Sequence, residues 1–141
     1  MATLVKFQDF KEQLGKGIHD LSADAIKVFL TNSAPNAATA DELADITQIA
    51  YTNISGGVAP TITKQYTEAS GVGTFAADAL VITATAAVPT FQYYGLYNDT
   101  STGDKLICYW DHGSTVTLAN GETFTITFGA DATMGTILTV D

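Results

Sequence analysis

Two stretches limit what this chain can fold into more than any others: residues 91–97 (FQYYGLY) and residues 106–110 (LICYW). Side chains alternate between the two faces of a strand. In the first stretch one parity carries Phe91, Tyr93, Gly95 and Tyr97, and the other Gln92, Tyr94 and Leu96. In the second, Leu106, Cys108 and Trp110 stand against Ile107 and Tyr109. Both stretches are therefore apolar or aromatic on both faces, which a strand with one wet face is not. The pattern predicts two central strands, each covered once by its own core and once by something else. That second cover is either the N-terminal segment or another copy of the chain.

An N-terminal stripe of Phe7, Phe10, Leu14, Ile18 and Leu21 recurs at helical spacing and predicts a helix over residues 5–21. Gly15 and Gly17 interrupt it, each costing about 1 kcal/mol relative to Ala, so packing of the Phe face must hold it. It reads either as a helix closing one edge of a β domain or as an arm that docks on a partner subunit. Residues 25–31 form a strand ended by the turn chemistry of Asn32-Ser33-Ala34-Pro35. A short helix is expected over residues 40–44, capped by Thr39.

Strands are expected over residues 61–66 and 75–85, around Gly71-Val72-Gly73, with Leu80, Ile82 and Ala84 facing one way and Val81 and Thr83 the other. Residues 98–104 are a polar loop with Gly103 suited to a positive φ. Around Asn120-Gly121 two arrangements fit. One is a hairpin with loop 119–121 that pairs Val116 with Phe124; the other is a turn that crosses between two sheets. Residues 135–140 are a last strand. About eight short strands with turn signals between them, and no βαβ alternation, predict a mainly β fold: an antiparallel β-sandwich, jelly-roll-like, with a short N-terminal helix. The whole chain, 1–141, reads as one domain, with a helical segment over 1–22 and the β-sandwich over 23–141.

Charge narrows the partners. The net charge is −9, the six basic residues are all Lys, and there is no Arg. Nucleic-acid binding depends on neutralising phosphates, with Arg favoured for bidentate contacts, so that class is set aside. Only 15% of the residues are charged, against 46% hydrophobic, which suggests that some surface is normally covered by partners. The lone Cys108 permits neither an intrachain disulfide nor a thiolate metal cluster. The N-terminal MATLVKFQDFKEQL lacks an apolar signal core and no run approaches a membrane span, so assembly in a reducing cytoplasm and no membrane partner are expected.

The strongest enzyme-like constellation is Asp111-His112-Gly113-Ser114. It holds the residue types of a nucleophile and base, but neighbours on a turn rarely aim at one another, and triads are assembled from distant segments. His19 follows the helix pattern, where a positive charge is merely favourable. Gly56-Gly57 and Gly71-Val72-Gly73 are turn glycines with no helix behind them to hold a phosphate. Asp78, Asp99, Asp104 and Asp131 are spaced as loop acids without a recognisable calcium loop. No catalytic residue, metal site or cofactor is expected. Tyr93, Tyr94, Tyr97 and Tyr109 offer rings that stack on sugars in a carbohydrate-binding module, although their place in buried-looking strands favours core or subunit contact.

The segments VKFQDFKEQLGKGIHDL, AIKVFLTNSAP, ADITQIA, YYGLYNDTSTGDKLICYWDHGSTVTLANGETFTITF and the terminal ILTV follow one another in an order that spans nearly the whole chain. In these the chain resembles small structural proteins of tailed bacteriophages and prophages, in particular capsid cement (decoration) proteins. The resemblance implies a β-rich, often jelly-roll, accessory subunit without catalytic residues. It would bind the major capsid protein on the outside of the head and associate with itself as a dimer or trimer. Virion location follows, with a tail or adsorption-apparatus subunit as the alternative and a carbohydrate-binding module as another. Candidate subunit or capsid contacts are Phe7, Phe10, Leu14, Tyr93, Tyr94, Tyr97, Tyr109 and Trp110.

Overall fold

The fold is taken from a computed structural model that describes residues 2–129 and 133–141. In chain order it runs β1 (Leu4–Lys6), α1 (Gln8–Gly15), β2 (Ile26–Thr31), β3 (Lys64–Ala69), β4 (Val72–Ala77), β5 (Leu80–Thr83), β6 (Val88–Asn98), β7 (Lys105–Leu118), β8 (Thr123–Ile126) and β9 (Gly135–Val140). All strand pairings are antiparallel, and the protein is mainly β. The strands form a four-stranded sheet in the order β1-β7-β6-β2, a three-stranded sheet β3-β4-β9 and a two-stranded sheet β5-β8.

The two aromatic stretches are the central strands of the largest sheet. Residues opposite one another in an antiparallel pair project from the same face. Phe29, Gly95, Tyr109 and Val5 therefore share one face, and Leu30, Tyr94, Trp110 and Leu4 share the other. The first face is closed by the N-terminal segment: the ring of Phe7 lies 5.3 Å from Tyr109 and 6.4 Å from Phe29. The Phe7 N–H also donates to the Ile107 carbonyl at 3.1 Å, pinning that segment to β7. The second face meets β8 and the residues after it, with Tyr94 5.8 Å from Phe124 and Trp110 5.6 Å from Phe128. Both covers come from the chain itself, so the two-faced pattern does not by itself call for a second copy.

The N-terminal helix is shorter than its stripe. Residues 4–6 pair with Cys108–Trp110 as β1, and α1 ends at Gly15. Gly17 adopts φ 78; its N–H donates to Leu14 O at 3.2 Å and the Ile18 N–H to Gln13 O at 3.0 Å. This is a Schellman stop, so Gly17 terminates the helix rather than weakening its middle. Ile18 is consequently off the stripe and exposed, while Leu21 is buried beyond the helix.

The helix expected over residues 40–44 is replaced by a 3₁₀ turn at Leu43–Asp45. The Asp45 carboxylate accepts the N–H groups of Asp41 (3.0 Å) and Glu42 (3.1 Å), which fixes the start of the turn at Glu42 instead of Thr39. The strand expected over residues 75–85 is two strands, because the Asp78 N–H turns away to Thr63 O at 2.9 Å. The β3–β4 turn centres on Ser70-Gly71, both at positive φ, as a two-residue hairpin of this hand requires. In β5 Ile82 is buried and Val81 exposed, as the alternation predicts.

Around Asn120-Gly121 the chain crosses between sheets: Val116 pairs with Phe91, and Phe124 with Ile82. The turn closes through Glu122 N–H to Ala119 O at 3.0 Å, with Gly121 at φ 86. Gly103 lies at φ 82 in the polar loop before β7, and the last strand falls on residues 135–140 as read.

Candidate functional site

The upper half of the β6–β7 hairpin extends past both neighbouring strands. β1 pairs only with Cys108–Trp110 of β7, and β2 only with Tyr93–Asn98 of β6. Residues 88–92 and 111–118 thus form a two-stranded arm. Its inner side carries Phe91 and Val116, register partners, and Phe91 meets Phe124 edge-on at 5.3 Å. Its outer side is polar and almost uncharged: Thr90 and Thr117 hydroxyls lie 3.0 Å apart, and the Gln92 amide donates to Asp111 at 2.9 Å.

The arm is also irregular. β6 takes two residue steps from Phe91 to Tyr93, whereas β7 takes five between their partners, Val116 and Asp111. The extra residues surround Gly113, at φ 89, whose N–H donates to Asp111 Oδ1 at 2.7 Å. Phe91 and Tyr94, assigned to opposite faces by simple alternation, both reach Phe124. Bulges of this kind twist a strand edge and re-aim side chains.

Asp111-His112-Gly113-Ser114 lies inside β7, not on a turn. Asp111 is occupied by Gln92 and the Gly113 N–H, which hold its carboxyl below the usual range, with a smaller contribution from His112. His112 packs edge-on against Phe124 at 5.3 Å. Asp111 and His112 thus face different partners, and among the described residues no hydrogen bond joins His112 to Ser114. His112, Phe124 and Tyr94, with Thr125 and Thr127, line a wide surface cleft of about 790 Å³.

Of the expected contact residues, Phe7, Phe10, Tyr94, Tyr97 and Trp110 are buried in the chain's own core. Within one chain these five pack into the core, and of them Tyr94 still borders the surface cleft beside His112 and Phe124. Leu14, Tyr93 and Tyr109 are half-buried and keep some exposed surface. Burial pushes the Tyr94 and Tyr97 phenols up, and the buried Cys108 thiol likewise.

A polar cluster joins two distant segments, residues 19–24 and 98–101. Asn98, buried at the end of β6, donates from its amide to Asp24 Oδ2 (2.7 Å) and meets His19 Nδ1 at 3.2 Å. Asn98 Oδ1 accepts the N–H groups of Thr100 (3.0 Å) and Ser101 (3.2 Å). His19 is 5% exposed, not a solvated residue at a helix end, and its ring lies 5.2 Å from Phe10. Burial lowers its pKa, while Asp24 and then Asp9 pull the other way. Sequence reasoning missed this cluster: His19 and Asn98 are 79 residues apart, and only the burial of the segment after α1 brings them together.

The loop acids disperse. Asp78 accepts the Met134 N–H, Asp99 faces Lys27 at 3.5 Å, and desolvation raises the pKa of Asp104; Asp131 lies outside the described residues. Among the described residues no group of three or more His, Cys, Asp or Glu side chains is placed to hold a metal, and no helix is long and apolar enough to cross a membrane. No family model, characterised protein or solved structure matches the chain.

Proposed function

We propose that this chain is a non-enzymatic structural subunit of a tailed-phage virion, a decoration protein that binds the outer surface of the head and clamps capsid subunits. The ordered resemblance across the sequence suggests it. The structural observation that carries it is the β6–β7 arm: a long hairpin, anchored at its base by a core closed on both faces, with a polar, nearly uncharged outer side. Such an arm can lie across a subunit junction without competing for its own core. A sandwich of the jelly-roll kind belongs to the same reading, and the contacts of Tyr94 and Trp110 with Phe124 and Phe128 support it by joining the largest sheet to the β8 region.

Self-association as a dimer or trimer belongs to this proposal too, through the half-exposed Tyr93, Tyr109 and the arm rather than the buried aromatics. A specific complex typically buries about 1,600 Å² in total, and many symmetry-related copies then add by avidity. Binding only the assembled shell stabilises that state by mass action. The carbohydrate-binding alternative is weakened by the burial of Tyr94, Tyr97 and Trp110, which leaves no row of solvent-facing rings among the described residues. A reconstruction of the intact virion tests the proposal. Density for this fold on the outside of the head supports it; density confined to the tail favours a tail or adsorption-apparatus subunit, and absence from the particle rejects both.

A further inference from the structure

We propose that His19 is the pH-sensitive pin of a clasp that holds the N-terminal segment, residues 8–22, against the β sheet. Asn98 anchors the clasp at the end of β6. Its Oδ1 accepts two backbone N–H groups, from Thr100 and Ser101, and this fixes which end of the amide is oxygen. The amide nitrogen therefore faces His19 Nδ1 and Asp24 Oδ2. An amide nitrogen only donates, so Nδ1 of His19 must be an unprotonated acceptor and the ring proton must sit on Nε2. Nε2 is buried with no hydrogen-bond partner among the described residues.

A proton added to Nδ1 would set two donors face to face and place a cation in a buried site. The groups around the ring offer little to receive it. From α1 come the Phe10 ring and the charge of Asp9; from β7 comes Lys105, which opposes protonation. Tyr66 of β3 and Asp20 line the same groove as His19. Asp24 is the natural counter-ion, but its Oδ2 already accepts from Asn98 and its Oδ1 lies on no described hydrogen bond to the ring. Whether or not Asp24 then pairs with the ring, a proton on Nδ1 breaks the Asn98–His19 contact, the hydrogen bond by which residues 8–22 are tied to the end of β6.

The sign follows from linkage. The closed state holds His19 with a lowered affinity for protons, and the opened segment restores its ordinary value near 6.5. Closing is therefore fully favoured above about pH 6.5 and weakens as pH falls below it, with a limit of about tenfold in the closing constant per pH unit for one linked proton.

Hydrogen exchange on the full chain tests this. Between pH 7.5 and 5.5 the protection factors of α1 amides should fall by up to about tenfold, while those of Leu96 and Cys108 hold. His19→Asn, whose side-chain oxygen accepts from Asn98 at every pH, should abolish the fall, and the control His112→Gln should keep it. The same fall in His19→Asn, or none in the parent, overturns the proposal. If His19→Asn does not fold, nitrogen-15 shifts of the parent decide. A neutral ring protonated on Nε2 that titrates below 6.5 upholds the clasp; an Nδ1 proton, or titration at or above that value, overturns it.

Discussion

The ring of Phe29 occupies the space that a Cβ on Gly95 would need, directly across the β2–β6 pairing. The Cys108 carbonyl closes the same space from β7. A glycine in a central strand normally weakens it; here the missing side chain is the socket into which an aromatic residue of the neighbouring strand fits. Gly95→Ala should therefore destabilise the fold by overpacking, on the order of 1–3 kcal/mol. Urea unfolding checks this, and an unchanged midpoint would show that Phe29 can shift freely.

Phe7 connects three parts of the structure: β1, α1 and the face of the sheet that carries Phe29 and Tyr109. It is fully buried. Phe7→Ala should cost about 3–5 kcal/mol, as expected for emptying a core aromatic site. Loss of the near-ultraviolet aromatic signal at a lower urea concentration than in the parent is the expected readout.

The Tyr51 hydroxyl accepts the Leu30 N–H at 3.0 Å and donates to Gln48 Oε1 at 2.6 Å, tying the 46–51 segment to the edge of β2. Burial raises its pKa from 10.0 to about 12, opposed by the Leu30 N–H. An acid whose folded pKa is raised stabilises the fold below its unfolded pKa and loses that contribution as pH climbs through the folded value. Stability should thus fall between pH 10 and 12. Tyr51→Phe should make that fall shallower, and at neutral pH should cost about 1–3 kcal/mol by leaving the Leu30 N–H unpaired.

Cys108 provides an internal reporter. It is buried between central strands, and burial pushes its thiol well above the ordinary range. A thiol reagent at pH 8 should leave the native protein unmodified and react once per chain in denaturing urea. Rapid native-state reaction would mean that the sheet opens at β7.

The doubly apolar pattern of residues 91–97 and 106–110 was enough to find the central strands, because burial on both faces leaves no position free to be polar. For the second cover the pattern left two candidates, the N-terminal segment and another copy, and the N-terminal segment closes that face. The N-terminal stripe is read at one spacing, yet a Schellman stop at Gly17 splits it between a helix and a buried tail. The irregularity around Gly113 was invisible for a related reason: alternation assumes one residue against one, and extra residues in β7 break that assumption. The His19–Asn98–Asp24 cluster had no local signal, since each member looks like an ordinary loop or cap residue until the fold joins them.

As the phage-head subunit proposed above, the protein would be held on its shell by buried apolar and neutral polar surface. With net charge −9, electrostatic attachment would need a basic receptor surface. At 1 M salt the Debye length is about 3 Å, so exposed ion pairs are largely screened, whereas burial is not weakened and excluded salts strengthen it. Sedimentation of purified heads with added protein across a salt series, with bound subunit quantified on a gel, measures this directly. The expected result is binding that persists or tightens up to molar salt and is released by urea. No co-sedimentation at any salt, or progressive release by sodium chloride alone, would contradict it.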